Sequence, residues 1–266
     1  MLGLEDYQEI LQDAAAQGCK AVQFIGGEPT LNPLLPKLLE LASVLQYEVI
    51  EVYTNLVALP QALLECLKRH DVCVATSVYS YDQSVHDEIT TRVGSWKRTT
   101  RNMQRVLSAG LSLRASVVVM DSNREHIEET TSWLRSLGVS QVGIDNARQF
   151  GRAQRADQCA MGDLCGECSK GTLCVGPDGE VAPCIMSKAW AVGSLSREKF
   201  RDILSSERLT QTRQSIYAQT LAVREHSMGG CNPDRPNKCG PDYGGPCNPC
   251  NPNQACGPNS CRPVRS

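Results

Sequence analysis

Short apolar segments alternate with longer amphipathic segments through the first 146 residues, and this alternation restricts the possible fold more than any other feature. The apolar segments are rich in Val and Ile, which is typical of strands, and the segments between them have helical periodicity. Strands that alternate with helices predict an α/β protein whose parallel sheet is covered by helices. The predicted strands are 21–25, 48–53, 72–78, 113–119 and 141–144. The predicted helices are 4–17, 34–45, 61–68, 95–109 and 124–137.

Charge and hydropathy argue against several classes of function. The chain has 266 residues and a net charge of −2, with Lys and Arg scattered, so it lacks the basic surface expected for nucleic acid. No apolar run approaches the roughly 18 residues of a membrane span. The amino end has no basic region ahead of an apolar segment, unlike a secretory signal. We therefore expect a cytoplasmic protein without nucleic-acid or membrane partners.

The first predicted strand runs directly into Gly26, Gly27, Glu28 and Pro29. Two glycines at the carboxyl end of a buried strand leave backbone N–H and C=O groups open to a ligand, because no Cβ blocks the approach. We expect the Glu28 carboxylate to point into the mouth of the sheet, where an amine could meet it. Pro29 fixes the direction of the following chain. The alternative is an ordinary strand-to-helix turn in an α/β protein.

Cysteine is the outlying residue type. The chain has 14 cysteines, and eleven of them follow Asp157. Clustered cysteines in a reducing compartment indicate metal or cluster ligands more readily than disulfides. Six of them form an internal Cys-x-Pro repeat in a segment rich in Gly, Pro and Asn, which can build neither a helix nor a sheet core. We expect thiolate–metal bonds to hold that segment.

Five further cysteines lie nearer the middle of the chain, at positions 159, 165, 168, 174 and 184. Cys165 and Cys168 have an x2 spacing, and Cys184 follows a Pro-Asp-Gly turn at 177–179. The turn predicts a small hairpin that brings Cys168 or Cys174 back beside Cys184. Spacing alone leaves three occupants open: iron–sulfur clusters, Cys₄ zinc or a disulfide knot.

The Gly-Gly-Glu-Pro loop, together with Gly179-x4-Cys184 and Cys247-x2-Cys250-x5-Cys256, resembles the radical SAM enzymes with a SPASM-type extension. The resemblance implies a partial (βα) barrel in residues 1–152, and a cysteine-rich extension with little regular structure in residues 153–266. It also implies one or two auxiliary [4Fe–4S] clusters, with zinc as the alternative metal. The candidate metal ligands are Cys165, Cys168, Cys184, Cys231, Cys239, Cys247, Cys250, Cys256 and Cys261.

The same resemblance implies a site for S-adenosylmethionine at the strand ends. In the family, the backbone and Glu of this loop hold the amino group of the methionine moiety. Polar strand ends could face a ribose or substrate, and a guanidinium suits the carboxylate. The candidates are Gly26, Gly27, Glu28, Pro29, Thr54, Asn55, Ser77, Arg148 and Arg152. The alternative for the strand-end residues is an ordinary polar loop. The four histidines have no partner at ligand spacing, so we expect them at the surface or in loops.

The resemblance implies reductive cleavage of S-adenosylmethionine and hydrogen abstraction from a substrate, and the substrate class that it implies is a peptide or protein. An electron donor such as a ferredoxin or flavodoxin would be a partner, and no catalytic side chain can be assigned. The chain departs from the family because no Cys-x3-Cys-x2-Cys precedes Gly26. We expect a chain that begins downstream of the first barrel strand, since strand 21–25 otherwise has an unpaired edge. The alternative is a truncated, non-catalytic iron–sulfur or zinc-binding protein.

Overall fold

The computed structural model describes residues 2–146 and 160–226, with the backbone alone for 221–226. Five parallel strands form one sheet in chain order, as predicted. They are β1 Ala21–Phe24, β2 Val49–Tyr53, β3 Cys73–Val78, β4 Leu113–Val119 and β5 Gln141–Asn146. The helices between them are α1 Leu4–Ala16, α2 Leu35–Val44, α3 Gln61–Arg69, α4 Gln83–Ile89, α5 Ser95–Ser108 and α6 Ile127–Ser136. Within these ranges, no helix is long and apolar enough to cross a membrane.

Helix α4 is the one core helix that sequence periodicity did not predict. It begins at Asp82, whose carboxylate accepts hydrogen bonds from the N–H groups of Ser84 and Val85. The prediction that every histidine lies at the surface or in a loop is wrong for His86, which lies in this helix and is 2% exposed. Burial lowers the pKa of His86, and its Nδ1 atom has no hydrogen-bond partner among the described residues.

The two faces of the sheet differ in polarity. One face carries Val52, Val74 and Val117, which are buried in the main apolar core beneath the helices. Several of the residues that alternate with them are polar: Glu51, Ser77 and Arg114 stand on the opposite face at intermediate exposure, together with the buried Ala75. We call this second surface the inner face. A parallel sheet buried on both faces would have apolar residues at both sets of positions.

The extension after residue 160 is built around a small antiparallel sheet. Its strands are β6 Cys174–Val175, β7 Glu180–Ala182 and β8 Gly193–Ser194, so the hairpin predicted at the Pro-Asp-Gly turn is confirmed. Two helices follow, α7 Phe200–Leu204 and α8 Glu207–His226. The side chains of Val181, Phe200 and Ile203 share an apolar cluster with Ile10 of α1. The predicted boundary at 152/153 lies outside the described residues.

Asp87 connects α4 to the start of α5. Its carboxylate accepts hydrogen bonds from the N–H groups of Gly94, at 2.6 Å, and Trp96, at 2.8 Å, and from the hydroxyl of Ser95. Burial would raise the pKa of Asp87, but these hydrogen bonds outweigh it and lower the pKa to about 2. The charged form therefore caps a helix amino end that would otherwise leave N–H groups unpaired.

We expect the Asp87→Ala variant to lose about 1 kcal/mol in the free energy of unfolding at pH 7, the usual cost of a lost cap. Because the folded-state pKa lies below the ordinary 3.8, this contribution is present above pH 3.8 and disappears as pH falls through about 2. Urea denaturation at several pH values measures the difference, which should shrink on acidification. Asp121→Ala, at an exposed surface pair, is the control and should change little. An equal loss in both variants, or no pH dependence, would contradict the capping role.

Candidate functional site

The loop after β1 keeps its backbone open. Gly26 has φ +153°, a conformation that residues with a Cβ rarely adopt. Gly27 has an ordinary φ, and a Cβ built on either glycine meets no heavy atom within 4 Å. Packing in the described part of the chain therefore does not require glycine at 27. Pro29 is buried and opens a short 3₁₀ helix, Pro29–Leu31, which directs the chain away from the loop.

The Glu28 carboxylate joins the loop after β1 to the end of β2. Its Oε1 atom accepts hydrogen bonds from the Thr30 N–H at 3.1 Å, the Thr30 hydroxyl at 2.7 Å and the Thr54 hydroxyl at 2.6 Å. Its Oε2 atom accepts one from the Asn55 N–H at 2.9 Å. The structure thus brings the predicted residues Glu28, Thr54 and Asn55 together. Glu28 also connects two loops through hydrogen bonds, a role that the sequence did not indicate. The contact of Glu28 with a ligand amine stays a prediction.

Helix α5 holds the loop after β2 through three side chains on one face. The Thr99 hydroxyl donates to the carbonyl of Asn55 at 2.9 Å, and the Asn102 amide donates to the carbonyl of Leu56 at 2.7 Å. Arg105 donates to the carbonyl of Leu59 at 2.6 Å. Leu56 has φ +55°, which is unfavourable for a residue with a Cβ, so these hydrogen bonds keep the loop in a conformation that it would not adopt alone.

Ser77 lies on the inner face at the end of β3. Its hydroxyl shares a hydrogen bond of 2.8 Å with the phenol of Tyr53 on β2. The guanidinium of Arg114 lies over the Tyr53 ring, 5.3 Å from its centroid. Ser77, which is the predicted ribose contact, therefore lies beside the Tyr53 ring and the Arg114 guanidinium.

Glu51, which lies two residues before Tyr53 on β2, binds Arg114. The Nε and Nη2 atoms of Arg114 lie 2.6 Å and 2.8 Å from the two carboxylate oxygens, and Gln23 on β1 also donates to Glu51. Burial would raise the pKa of Glu51, but the hydrogen bonds from Arg114 and Gln23 and the Arg114 charge lower it. The same pairing raises the pKa of Arg114. Both groups therefore stay ionised on the inner face.

Three of the predicted metal ligands meet in the extension. The Cys168 thiol is hydrogen-bonded to both Cys165 and Cys184. Cys168 and Ile216 of α8 lie in one small apolar cluster, with Trp190 packed against it. Of the two cysteines that the hairpin could have brought beside Cys184, Cys168 makes the contact, whereas Cys174 pairs across the hairpin with Ala182.

The environment of Cys184 favours a thiolate. Its pKa is lowered to about 6, chiefly by the hydrogen bond from Cys168, and burial opposes this effect. The N–H groups of Met186 and Ser187 also donate to the sulfur and lower the pKa, while the Ser187 hydroxyl donates to the Cys184 carbonyl at 3.0 Å. The hydrogen bonds with Cys165 and Cys184, together with burial, raise the pKa of Cys168. N–H donors around a cysteine sulfur are the outer-shell contacts that metal and cluster thiolates use.

The predicted metal ligands that the structure describes do not form a metal site by themselves. Within 2–146 and 160–226, no three His, Cys, Asp or Glu side chains are arranged to hold a metal ion on their own. The remaining predicted site residues lie outside the described ranges: Arg148, Arg152, Cys231, Cys239, Cys247, Cys250, Cys256 and Cys261.

Comparison with known families matches both parts of the chain. Residues 2–134, half of the chain, match the radical SAM superfamily, and residues 165–240 match SPASM, described as an iron–sulfur cluster-binding domain. The antilisterial bacteriocin subtilosin biosynthesis protein AlbA of Bacillus subtilis is 21% identical over 261 aligned positions, which cover 85% of this chain. The alignment covers 57% of AlbA, so the chain spans little more than half the length of that relative.

Two solved structures have a similar fold. Streptococcus suis SuiB bound to the precursor peptide SuiA has a TM-score of 0.66 at 15% identity, over 79% of this chain and 60% of SuiB. Native anSMEcpe with bound AdoMet and a Kp18Cys peptide has a TM-score of 0.63 at 12% identity, over 82% of this chain and 76% of that protein. At these identities, the similarity establishes the fold alone.

We expect Thr54→Val to lower the free energy of unfolding by about 1–2 kcal/mol, because the isosteric change removes the hydroxyl that donates to Glu28 and accepts from the Leu56 N–H. Urea denaturation measures the loss. Thr91→Val is the matched control, since the Thr91 side chain is exposed and its hydroxyl donates only to a neighbouring backbone carbonyl. Equal stability of the two variants would show that the Glu28 junction does not stabilise the loop.

Proposed function

The chain belongs to the radical SAM superfamily, and from this premise we propose that it cleaves S-adenosylmethionine reductively and abstracts hydrogen from a peptide substrate. The SPASM match adds an iron–sulfur extension, and the two matches together imply [4Fe–4S] clusters and S-adenosylmethionine as cofactors. When bound, these groups supply the electron transfer and the bond cleavage, while the protein binds and orients the reactants. The Gly26–Gly27 loop is the observation that supports the proposal most strongly.

The open loop fits the amino-acid part of S-adenosylmethionine. Gly26 and Gly27 offer backbone groups that a ligand could approach, because no atom of the described residues lies within 4 Å of a Cβ built on either glycine. Thr54 and Asn55 hold the Glu28 carboxylate beside this loop. In our proposal this arrangement receives the amino group, and Ser77 contacts the ribose from the end of β3. Arg148 and Arg152 remain candidates for the carboxylate.

The cysteines of the extension fit an auxiliary cluster in part. Cys168 already contacts Cys165 and Cys184, and Cys184 favours the thiolate that a cluster or metal requires. We propose that cysteines from the Cys-x-Pro repeat complete the ligand set. Zinc is the competing occupant, because it also accepts four thiolates at such spacings.

A peptide is the substrate class that the relatives favour. AlbA is named for subtilosin biosynthesis, and the SuiB structure contains a precursor peptide. We propose that the inner face of the sheet receives such a peptide. A ferredoxin or flavodoxin would supply the electron, and the proposed compartment is the cytoplasm.

Anaerobic reconstitution of the full chain with iron and sulfide tests the proposed activity. Iron and zinc per chain, visible absorbance and formation of 5′-deoxyadenosine are measured together. We expect iron with visible absorbance, and formation of 5′-deoxyadenosine in a preparation that also carries the Cys-x3-Cys-x2-Cys ligands of the cleaving cluster, which do not precede Gly26 in this sequence. Clusters without cleavage would contradict the enzyme and favour a non-catalytic iron–sulfur protein. Retained zinc without visible absorbance would contradict the iron–sulfur assignment.

The Gly27→Ala variant separates ligand binding from folding. A methyl group at 27 meets no protein atom within 4 Å, so we expect an unchanged melting temperature. The same methyl group would stand where a ligand approaches the backbone, and we expect a loss of more than about tenfold in affinity for S-adenosylhomocysteine. Gly110→Ala is the opposite control: its φ of +78° predicts a loss of stability without a direct effect on binding. Normal binding by Gly27→Ala would exclude the loop from the ligand site.

Removal of single thiols tests the proposed cluster ligands. We expect Cys168→Ala to lose about four iron atoms per chain after reconstitution, the content of one cubane. Cys66→Ala should keep its iron, because Cys66 is buried in the main core away from the extension, although its stability should fall. Equal iron contents of the two variants would remove Cys168 from the ligand set.

A further inference from the structure

Arg114 crosses the inner face of the sheet in a fixed orientation. It stands on β4 in the same row as Ala75 on β3 and Tyr53 on β2, and it reaches Glu51 on β2. The small Ala75 side chain lies between Arg114 and Glu51 and leaves room for the long Arg114 side chain to cross β3. The reach spans two strand spacings, about 10 Å. Glu51 and the Tyr53 ring together fix the plane of the guanidinium.

The guanidinium has a second binding edge. Its planar fork presents an Nε–Nη2 edge and an Nη1–Nη2 edge, and each can hold a carboxylate through two N–H groups. Glu51 occupies the first edge. Within 2–146 and 160–226, Nη1 takes part in no hydrogen bond or ion pair, and the Arg114 side chain is 35% exposed. The Nη1–Nη2 edge is therefore the edge that a further carboxylate could use.

We propose that Arg114 is a carboxylate-binding residue of the inner face, with Glu51 and Tyr53 as positioning residues. The proposal rests on the proposed function, and it deepens that function by naming a chemical group that the site recognises. The carboxylate has two possible sources on this face. One is the amino-acid part of S-adenosylmethionine, since Ser77 lies two residues beyond the row of Arg114, about 7 Å along the strand direction. The other is an acidic side chain of a peptide substrate.

Two matched ligand pairs test the proposal on the full chain as purified. The first pair is S-adenosylhomocysteine and its carboxamide. The second pair is acetyl-Gly-Gly-Glu-amide and acetyl-Gly-Gly-Gln-amide. Isothermal titration measures the preference of the wild type for the acid over the amide in each pair. We expect a preference of about tenfold or more in at least one pair, the usual range for a hydrogen-bonded charged group.

Substitutions assign that preference to Arg114. Arg114→Gln is expected to abolish it while amide binding changes less than about twofold. Arg114→Lys is expected to retain part of it, because the ammonium keeps the charge but not the fork. Arg124→Gln, at an exposed surface pair, is the matched control and should keep the full preference. Melting curves of all variants check folding, and Arg114→Lys carries the test if the Gln variant does not fold.

If Arg114→Gln loses the acid preference in the S-adenosylhomocysteine pair, the carboxylate comes from the cofactor. If it loses the preference in the peptide pair, the carboxylate comes from the substrate. Either result supports the proposal. Equal weakening of acid and amide in Arg114→Gln would indicate a structural role and overturn it. An acid preference that survives in both Arg114 variants, or a wild type without any acid preference, would also overturn it. The measurement needs neither iron nor turnover. A failed proposal here is therefore distinguishable from failed cleavage of S-adenosylmethionine in the reconstitution experiment.

Discussion

Burial of the parallel sheet on one face is the constraint from which the rest of the structure follows. The helices cover Val52, Val74 and Val117, and the strands gain their stability from that apolar contact. The residues on the inner face need not be apolar, so they can carry charged and hydroxyl groups. Polar groups on an uncovered face cost little when water or a ligand meets them, whereas they would be costly beneath a second layer of helices. Among the described residues, the inner face can therefore carry polar groups without loss of fold.

The strand ends owe their geometry to side chains that lie outside the predicted motif. Glu28 fastens the glycine loop to Thr54 and Asn55, and α5 in turn fixes the following segment through Asn102. Leu56, in its left-handed conformation, shows that this segment is held by its surroundings and not by local preference. The glycine loop is thus preorganised through two successive layers of hydrogen bonds, which reduces the cost of ordering it when a ligand binds.

The sequence predicted the order of the strands and core helices, because their apolar periodicity is strong and the connections are short. It missed α4, whose seven residues are too few for a clear period and which begins at the Asp82 cap. It grouped Glu28 with Thr54 and Asn55 only through family resemblance. The pairing of Glu51 with Arg114 joins residues 63 positions apart, and no local pattern encodes such a contact. The alternation of Glu51 and Tyr53 with buried Ile50 and Val52 was the available signal for the inner face.

The extension contains residues suited to two kinds of stabilisation, apolar burial and thiol contacts. Its small sheet and α7 bury Val181, Phe200 and Ile203 against Ile10 of α1, so that part depends on apolar contact. Cys168 is a buried member of a second apolar cluster with Ile216, and its thiol contacts Cys165 and Cys184. Residues 227–266 contain few apolar side chains, so the sequence offers little burial there and many thiols. If metal binds to the extension as proposed, its loss should therefore spare the contact between the small sheet and α1.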